Sequence, residues 1–583
     1  MQLFRWCLII LLIQFVVSIR QVNVQKQWYR YPGNPGVRIR LTKKGANHIK
    51  TVGVQIFNDY ISQLKGYSTS MPFSQIGING IVNLKNLHVK NYRPPQVLSS
   101  RNRSFIFFSL FSHLRNETNQ LRFYARKLIR SYDLSLRRAT VSVLNFLPPR
   151  HVVLGLENLD IGLGSDFTAN AVPIVVEGNL MGTISGMTVA LTTELLTDVT
   201  GKMNAVVRNC SALIANSHIT INPTGPMGIF VKTFEPMIND SVRQRIPEIF
   251  CSRLQNLVEK NISKLFEFIT KINLEDYFPK MDKSERDVMN MFISHLAKGM
   301  YVDNRMITQP LLTMDYIETN HQGEIQFESL SGPTPFFPRP MEQMFREPLS
   351  DHMAHFYVSD HLLNSMLYYA YQDNRLALKI DESNLPKEMK SFVSTQCPSK
   401  RHQTFVCVGY LVPEIGKLYP DSTTSFAILP HGLPYVMFNR DGMAVEIKNR
   451  ILTYAIPDDP AQSRNRSQIL VFSINGQADI KFSPTSESLN ARMNLNRFNV
   501  RLHRSAVRGI DETSIARLSP LSKTFIAPRL SAAVEKAARF PLQDTIKFIN
   551  PVIKNYDGFI SLSTDFQLEK KKIKSIVRNS IEF

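Results

Sequence analysis

The stretch "SDHMAHFYVSDHLL" gathers His352, His355 and His361 with Asp351 and Asp360. Imidazoles and carboxylates at such spacing are zinc-ligand chemistry. The middle of the stretch alternates as a strand, however, and a strand does not bring His355 and His361 to one point. The cysteines contain no C-x-x-C pair, so a thiolate zinc site lacks its usual spacing. A G-x-S-x-G elbow, an H-E-x-x-H pair and a phosphate-binding loop are all absent from the sequence. These residues point away from catalysis, and neither a cofactor nor a metal is expected.

The elements around them must then be read for binding. The chain has 583 residues, too many for one hydrophobic core, so two or more domains are expected. Lys plus Arg is 69 against 48 Asp plus Glu, a net charge of +21 that favours anionic partners. Arg5, an apolar run from Leu8 to Val17 broken by Gln14, and Val16 and Ser18 before Ile19 read as a signal peptide over residues 1–18. The rival reading is a membrane anchor, for which the run is short against a span of roughly 20 residues. Secretion argues against a nucleic-acid partner, and no recognised nucleic-acid module is present.

With Cys7 inside that segment, Cys210, Cys251, Cys397 and Cys407 remain, an even number suited to an oxidising compartment. Neighbours in sequence pair as Cys210–Cys251 and Cys397–Cys407. The first would close a loop of 41 residues, contributing about 4 kcal/mol in the chain-entropy account. Glycosylation sequons stand at Asn102, Asn116, Asn209, Asn239, Asn261 and Asn465; a bonded Cys210 would hinder the one at Asn209.

A strand at Val37–Leu41 leads into a helix whose apolar positions include Ile49, Ile56, Phe57, Tyr60 and Leu64. Alternating strands follow, as in "QIGINGIVNLKNLHVKNY" and "VVLGLENLDIGLG". A second helix is expected from about Pro236 to Ile272, with Ile246, Phe250, Leu254 and Leu257 on its apolar face. Thirty-seven helical residues would span about 55 Å. After the proline-dense "GPTPFFPRP" the plan repeats: a strand at "FYVSD", then a helix capped by Ser359 with Leu363, Met366, Leu367 and Ala370 on its apolar side. Alternating strands, a helical stretch at "SKTFIAPRLSAAVEKAARFPL" and a last strand "GFISLSTDFQL" close the second half. Strand, helix, sheet, helix appears twice. The fold class is therefore α+β: two related domains, each an antiparallel sheet wrapped on long helices.

At this point "NPGVRIRLTKKGANHI", the cysteine pair entering the second helix, "PTPFFPRPMEQ", "HFYVSDHLLNSMLYYAYQ" and "LPYVMFNRDGMAVEI" resemble, in order, the lipid-binding serum glycoproteins. That family includes bactericidal permeability-increasing protein, lipopolysaccharide-binding protein and the plasma lipid-transfer proteins, and the resemblance runs from about Asn34 to Leu568. It implies a boomerang of two barrels joined by a central sheet, each barrel holding a lipid's acyl chains. The expected layout is a first barrel over 34–285, central-sheet strands and linker over 286–350, a second barrel over 351–568 and a basic tail over 569–583.

The resemblance implies a secreted carrier of phospholipid or another acyl lipid. The first pocket would use Ile49, Ile56, Phe57, Tyr60, Ile246, Phe250, Leu254 and Leu257; the second would use Leu363, Met366, Leu367 and Ala370. Buried acyl methylenes contribute roughly 0.8 kcal/mol each. The alternative is an innate-defence protein that binds lipopolysaccharide or an anionic membrane surface. Against it, the hairpin matching the family's lysine-bearing tip reads "VPIVVEGNLMGTISG", with Glu177 and no Lys or Arg. The basic residues lie elsewhere: 101–150 holds ten basic and two acidic residues, and resembles an insertion. It reads as a basic amphipathic arm against anionic membrane, as a surface loop, or as sequence from a faulty gene assembly.

Overall fold

A computed structural model describes residues 33–61, 66–75, 78–93, 141–171, 174–225, 235–262, 270–275, 288–342, 351–385, 387–397, 407–459, 461, 465–485, 489–517, 546–571 and 573. The expected helical stretch at 522–542, the signal peptide and most of the basic tail lie outside them. So do residues 101–140 of the basic segment, including Asn102 and Asn116.

The strand Val37–Thr42 has two unlike faces. Val37, Ile39 and Leu41 point one way; Arg38, Arg40 and Thr42 point the other. The polar face is the more deeply buried one, with Arg40 and Thr42 almost wholly enclosed. Its neighbours explain this. The strand lies between Tyr316–His321 and Ala354–Ser359, antiparallel to both, so Arg40 stands opposite Glu318 on one side and His355 on the other. Arg40 Nε donates to Glu318 Oε2 at 2.7 Å, and Arg38 approaches the same carboxylate at 3.6 Å. Arg40 also lies over the Tyr316 ring, 4.7 Å from its centre. Burial lowers the Arg38 pKa, and Glu318 opposes that shift.

This central sheet has six strands. Leu311–Leu312, Tyr316–His321, Val37–Thr42, Ala354–Ser359, Phe559–Leu568 and Ile546–Tyr556 follow one another in space. It joins the start of the described chain to its end, whereas the sequence placed the central-sheet strands within 286–350. Strands Met300–Asp303 and Glu324–Phe327 from that range form a separate three-stranded sheet with Lys271–Asn273.

Each half carries a larger antiparallel sheet. The first runs Tyr67–Gln75, Ile78–Arg93, His151–Ala171, Ile174–Thr197, Met203–Leu213, with Val141–Leu147 and Asn216–Pro223 added. The second runs Leu378–Ile380, Ser422–Pro430, Gly442–Pro457, Ser467–Pro484, Leu489–Ser505, with Tyr435–Asn439 paired to the third. Among the described residues neither closes on itself, so these are open sheets where the resemblance implied barrels. Register shifts along their longest strands mark bulges, which bend a sheet without closing it.

Two expected boundaries move. Residues 141–147 of the expected insertion are an ordinary strand: "VSVLNFL" pairs with His151–Glu157 across the Pro148–Pro149 turn. The second helix is α-helical over Glu235–Asn256 and continues as a π-type turn to Ile262. Ile272, expected within it, lies in the strand Lys271–Asn273, where Val302 is its pairing partner.

Removing Glu318 would leave two guanidinium groups in the central sheet without their shared carboxylate. Glu318→Ala is expected to lower unfolding stability by roughly 3–5 kcal/mol, measured by urea denaturation. A loss of about 1 kcal/mol or less would mean that the pair behaves like a surface ion pair.

Candidate functional site

Helix α1, Lys43–Ile61, begins at Thr42, whose Oγ1 accepts the Gly45 amide at 3.4 Å. Gly45 is required there, because a Cβ at this position would lie 2.4 Å from the Met353 carbonyl oxygen. Along the helix Ala46, Val52, Val54 and Ile56 are buried, while Ile49 is 41% exposed. Ile49 enters none of the buried clusters that this helix joins. Val54, which the apolar stripe missed, enters a cluster with Leu156, Leu159, Ile184 and Met187 of the first sheet. Valines two positions apart lie on different sides of a helix, so α1 is covered on more than one side. The side chains of Phe57, Tyr60 and Leu257 lie outside the described residues.

Helix α2, Glu235–Asn256, brings Leu254 into the same cluster, with Ile246 and Phe250 packed against it and only partly covered. Three polar tethers fix α2 and its continuation to one flank of the sheet. Asn239 near its start accepts the Ile219 amide at 2.8 Å and donates to the Ile219 carbonyl at 3.1 Å. Cys251 forms a disulfide with Cys210 of the strand Met203–Leu213. Glu259, just past the α-helical part, accepts the Val207 amide at 3.0 Å. From the strand Ile78–Arg93 to α1, the Tyr92 hydroxyl donates to Asn58 Oδ1 at 2.7 Å, and burial pushes its phenol well above the usual range. Nothing in the local pattern marked Tyr92.

Helix α3, His361–Gln372, repeats the plan with a difference. Its N-cap is Asp360, one residue after the expected Ser359, although the Ser359 hydroxyl still accepts the His361 amide at 3.2 Å. The four expected pocket residues divide between two faces. Leu363 and Leu367 pack towards Val436, Phe438, Met443 and Ile480 of the second sheet. Met366 and the fully buried Ala370 pack towards Met300, Ile325 and Phe327 of the small sheet. Asn364 accepts the Val436 amide at 2.8 Å and donates to the Val436 carbonyl at 2.9 Å, as Asn239 does with Ile219. On the small-sheet side, Ser365 accepts the Ile325 amide at 2.9 Å, and the Tyr369 hydroxyl reaches Glu324 and the Gly332 carbonyl. Burial raises the Glu324 carboxyl, and it accepts from Gln322, Thr334, Tyr369 and Gln326.

The histidines do not assemble. The His352 and His355 rings are 6.2 Å apart on the central sheet, and His355 contacts Ser563 Oγ. His361 instead meets the edge of Phe336 in the proline-dense linker. Among the described residues no group of three His, Cys, Asp or Glu is placed to hold a metal ion. Of the sequons, Asn239 is engaged as above, Asn209 and Asn465 are exposed, and the Asn261 side chain lies outside the described residues. Cys397 and Cys407 form the second disulfide. Among the described residues no helix is long and apolar enough to cross a membrane.

Residues 294–568, which hold α3, the second sheet and five of the six central-sheet strands, match the family model described as the LBP / BPI / CETP family, C-terminal domain. This part of the chain carries the C-terminal domain of the LBP/BPI/CETP family. Bactericidal permeability-increasing protein of Sebastes schlegelii is 18% identical over 428 residues, 73% of this chain and 82% of that protein. Phospholipid transfer protein of Homo sapiens is 18% identical over 444 residues, 76% and 81% of the two chains. A crystal structure of lipopolysaccharide binding protein aligns at a TM-score of 0.43 and 16% identity, over 92% of this chain and 99% of that one.

His361 gives the second half of the chain a pH dependence. Neither ring nitrogen has a hydrogen-bond partner among the described residues, and burial lowers its pKa to about 4. An unfolded histidine titrates near 6.5. The unfolded chain therefore takes the proton first, so the stabilisation is complete above about pH 6.5 and is lost as pH falls towards about 4. His321, lowered to about 4 by burial, acts in the same direction. His361→Phe is expected to flatten the fall in melting temperature across that window, removing about 1–3 kcal/mol of it. Parallel melting-temperature profiles for the two proteins would count against this.

Proposed function

We propose that this chain is a secreted lipid carrier that holds phospholipid-like acyl lipids in two apolar interiors and performs no covalent chemistry. The names of its relatives support the class: one transfers phospholipid, another binds lipopolysaccharide. The observation that carries the reading is in the first half. Val89, Tyr92, Leu163, Ile246 and Phe250 all pack on the α1–α2 cluster yet stay only partly covered. In a sealed core such side chains would be closed off. Apolar surface held between two helices and a bent sheet is suited to fatty tails, each buried methylene adding roughly 0.8 kcal/mol.

Leu363 and Leu367, also partly covered, make the corresponding interior of the second half. Ala370 and Met366 belong to the helix's other face and support α3 from behind. Phospholipid is preferred to lipopolysaccharide because the hairpin near Glu177 has no cation with which to hold phosphates.

The test is solvent extraction of the purified secreted protein followed by quantitative mass spectrometry. One to two acyl lipids per chain are expected, and Ile246→Trp, which fills the first interior, should lower that number. Protein recovered with no stoichiometric lipid would defeat the carrier reading. Secretion also predicts a glycan on exposed Asn465. Asn239 should carry none, because its Nδ2 already donates to the Ile219 and Glu235 carbonyls. Peptide mapping with and without glycosidase reads both sites, and a glycan at Asn239 would contradict the α2 tether.

A further inference from the structure

The outer face of the second sheet carries a band of arginines that the fold does not use. Register puts Arg450, Ser473 and Arg501 in one row across three strands. Their neighbours Ile451, Phe472 and Leu502 turn into the core, so the row points outward. His503 Nε2 lies 3.0 Å from Ser473 Oγ. One step along the strands Arg504 stands opposite Val471; further the other way Arg497 stands opposite Gln477.

Carboxylates near this band are already engaged. Glu446 pairs with Lys448 at 3.0 Å, Asp479 accepts from Asn496, and Glu512 accepts the Leu502 amide. Among the described residues Arg450, Arg497, Arg501 and Arg504 have no ion pair. Arg450 Nε is also shielded from solvent without an acceptor, an arrangement that costs about 1–3 kcal/mol. Arg450 and Arg501 face the same side with Ser473 between them, so an anion at that surface would meet both charges.

Beside the arginines the same face is greasy. Leu429 pairs with Arg450, Tyr435 with Glu446 and Met437 with Ala444, and these three are 38%, 45% and 42% exposed. A sulfated polymer or a phosphate monoester would use the cations and leave Leu429, Tyr435 and Met437 in water. An anionic bilayer uses both: phosphates and carboxylates meet the arginines while the apolar side chains enter the interface.

We propose that this outer face, with Arg450 and Arg501 at its centre and Leu429, Tyr435 and Met437 beside them, is a docking surface for an anionic phospholipid membrane. Docking does not depend on the cargo reading: a chain that carries no lipid could still dock, and a carrier could fail to.

The experiment is co-sedimentation of the full chain with vesicles of phosphatidylcholine alone or with added phosphatidylserine. The chain should partition to the anionic vesicles and leave them at high salt. At about 1 kcal/mol per arginine, R450Q/R501Q should weaken that partition about tenfold or more, with an unchanged melting temperature. L429S/M437S should weaken it severalfold at equal salt. A Y435W chain supplies a readout that leaves the arginines intact: its emission should shift to the blue with anionic vesicles and not with neutral ones. Unchanged partition of R450Q/R501Q, or a Y435W emission indifferent to anionic vesicles, overturns the proposal. So does loss of heparin binding in R450Q/R501Q with vesicle binding intact, which would assign the band to a sulfated polymer.

Discussion

Arg40 sits inside a sheet that both ends of the chain build, and Glu318, 278 residues away, is the group that holds it there. A lone guanidinium in that position would carry a large desolvation penalty. Shared between Arg38 and Arg40, the carboxylate turns the polar side of Val37–Thr42 into an interior surface. The strand can then pair on both edges, with Tyr316–His321 and with Ala354–Ser359. Helix α1 leaves from the end of this strand, with Gly45 pressed on Met353, and the His361 helix leaves from the end of the next one. Both helices therefore take their starting positions from one sheet.

Each half then fixes a helix to its sheet by the same device. A carboxamide takes both hydrogen-bonding groups of one strand residue: Asn239 with Ile219, Asn364 with Val436. This satisfies four polar groups in a partly apolar setting and locates the helix without spending apolar surface on the join. Ile246, Phe250, Leu363 and Leu367 remain only partly covered. The disulfide at Cys251 and the Glu259 contact do the same further along α2. A helix held only by greasy packing would need those side chains covered in order to be held.

Much of this was legible in the sequence, and what was not has identifiable causes. Alternation marked most strands, and apolar spacing marked α1 and α3. Alternation marked Val37–Leu41 as a strand but not which side is buried: the arginine face is, and its justification comes from a residue in a distant strand. Apolar spacing ran on through Ile272, so the end of α2 was invisible; pairing of Lys271–Asn273 with Met300–Asp303 decides it. The α3 stripe was read as one face because a helix between two sheets shows a wide stripe, and nothing local divides Leu363 and Leu367 from Met366 and Ala370. Whether a sheet closes depends on its edge strands meeting, which no strand encodes by itself. The Asn239 motif is local, whereas its hydrogen bonds reach another strand, so its part in placing α2 could not be read from it.

The charge of the chain is sorted by face, and this limits what it can mean. In Leu489–Ser505 the inward positions Val500 and Leu502 serve the core, while Arg497, Arg501 and Arg504 are exposed. Exposure makes the arginines cheap to carry, since each keeps its water. It also frees the fold from any need of them: a Thr or Gln at each position would pair across the strands as well. The inner residues of that strand are explained by packing; the outer ones are not. A band of cations with engaged carboxylates and a greasy margin is then chemistry directed outward, on the face opposite to the one that builds the interior.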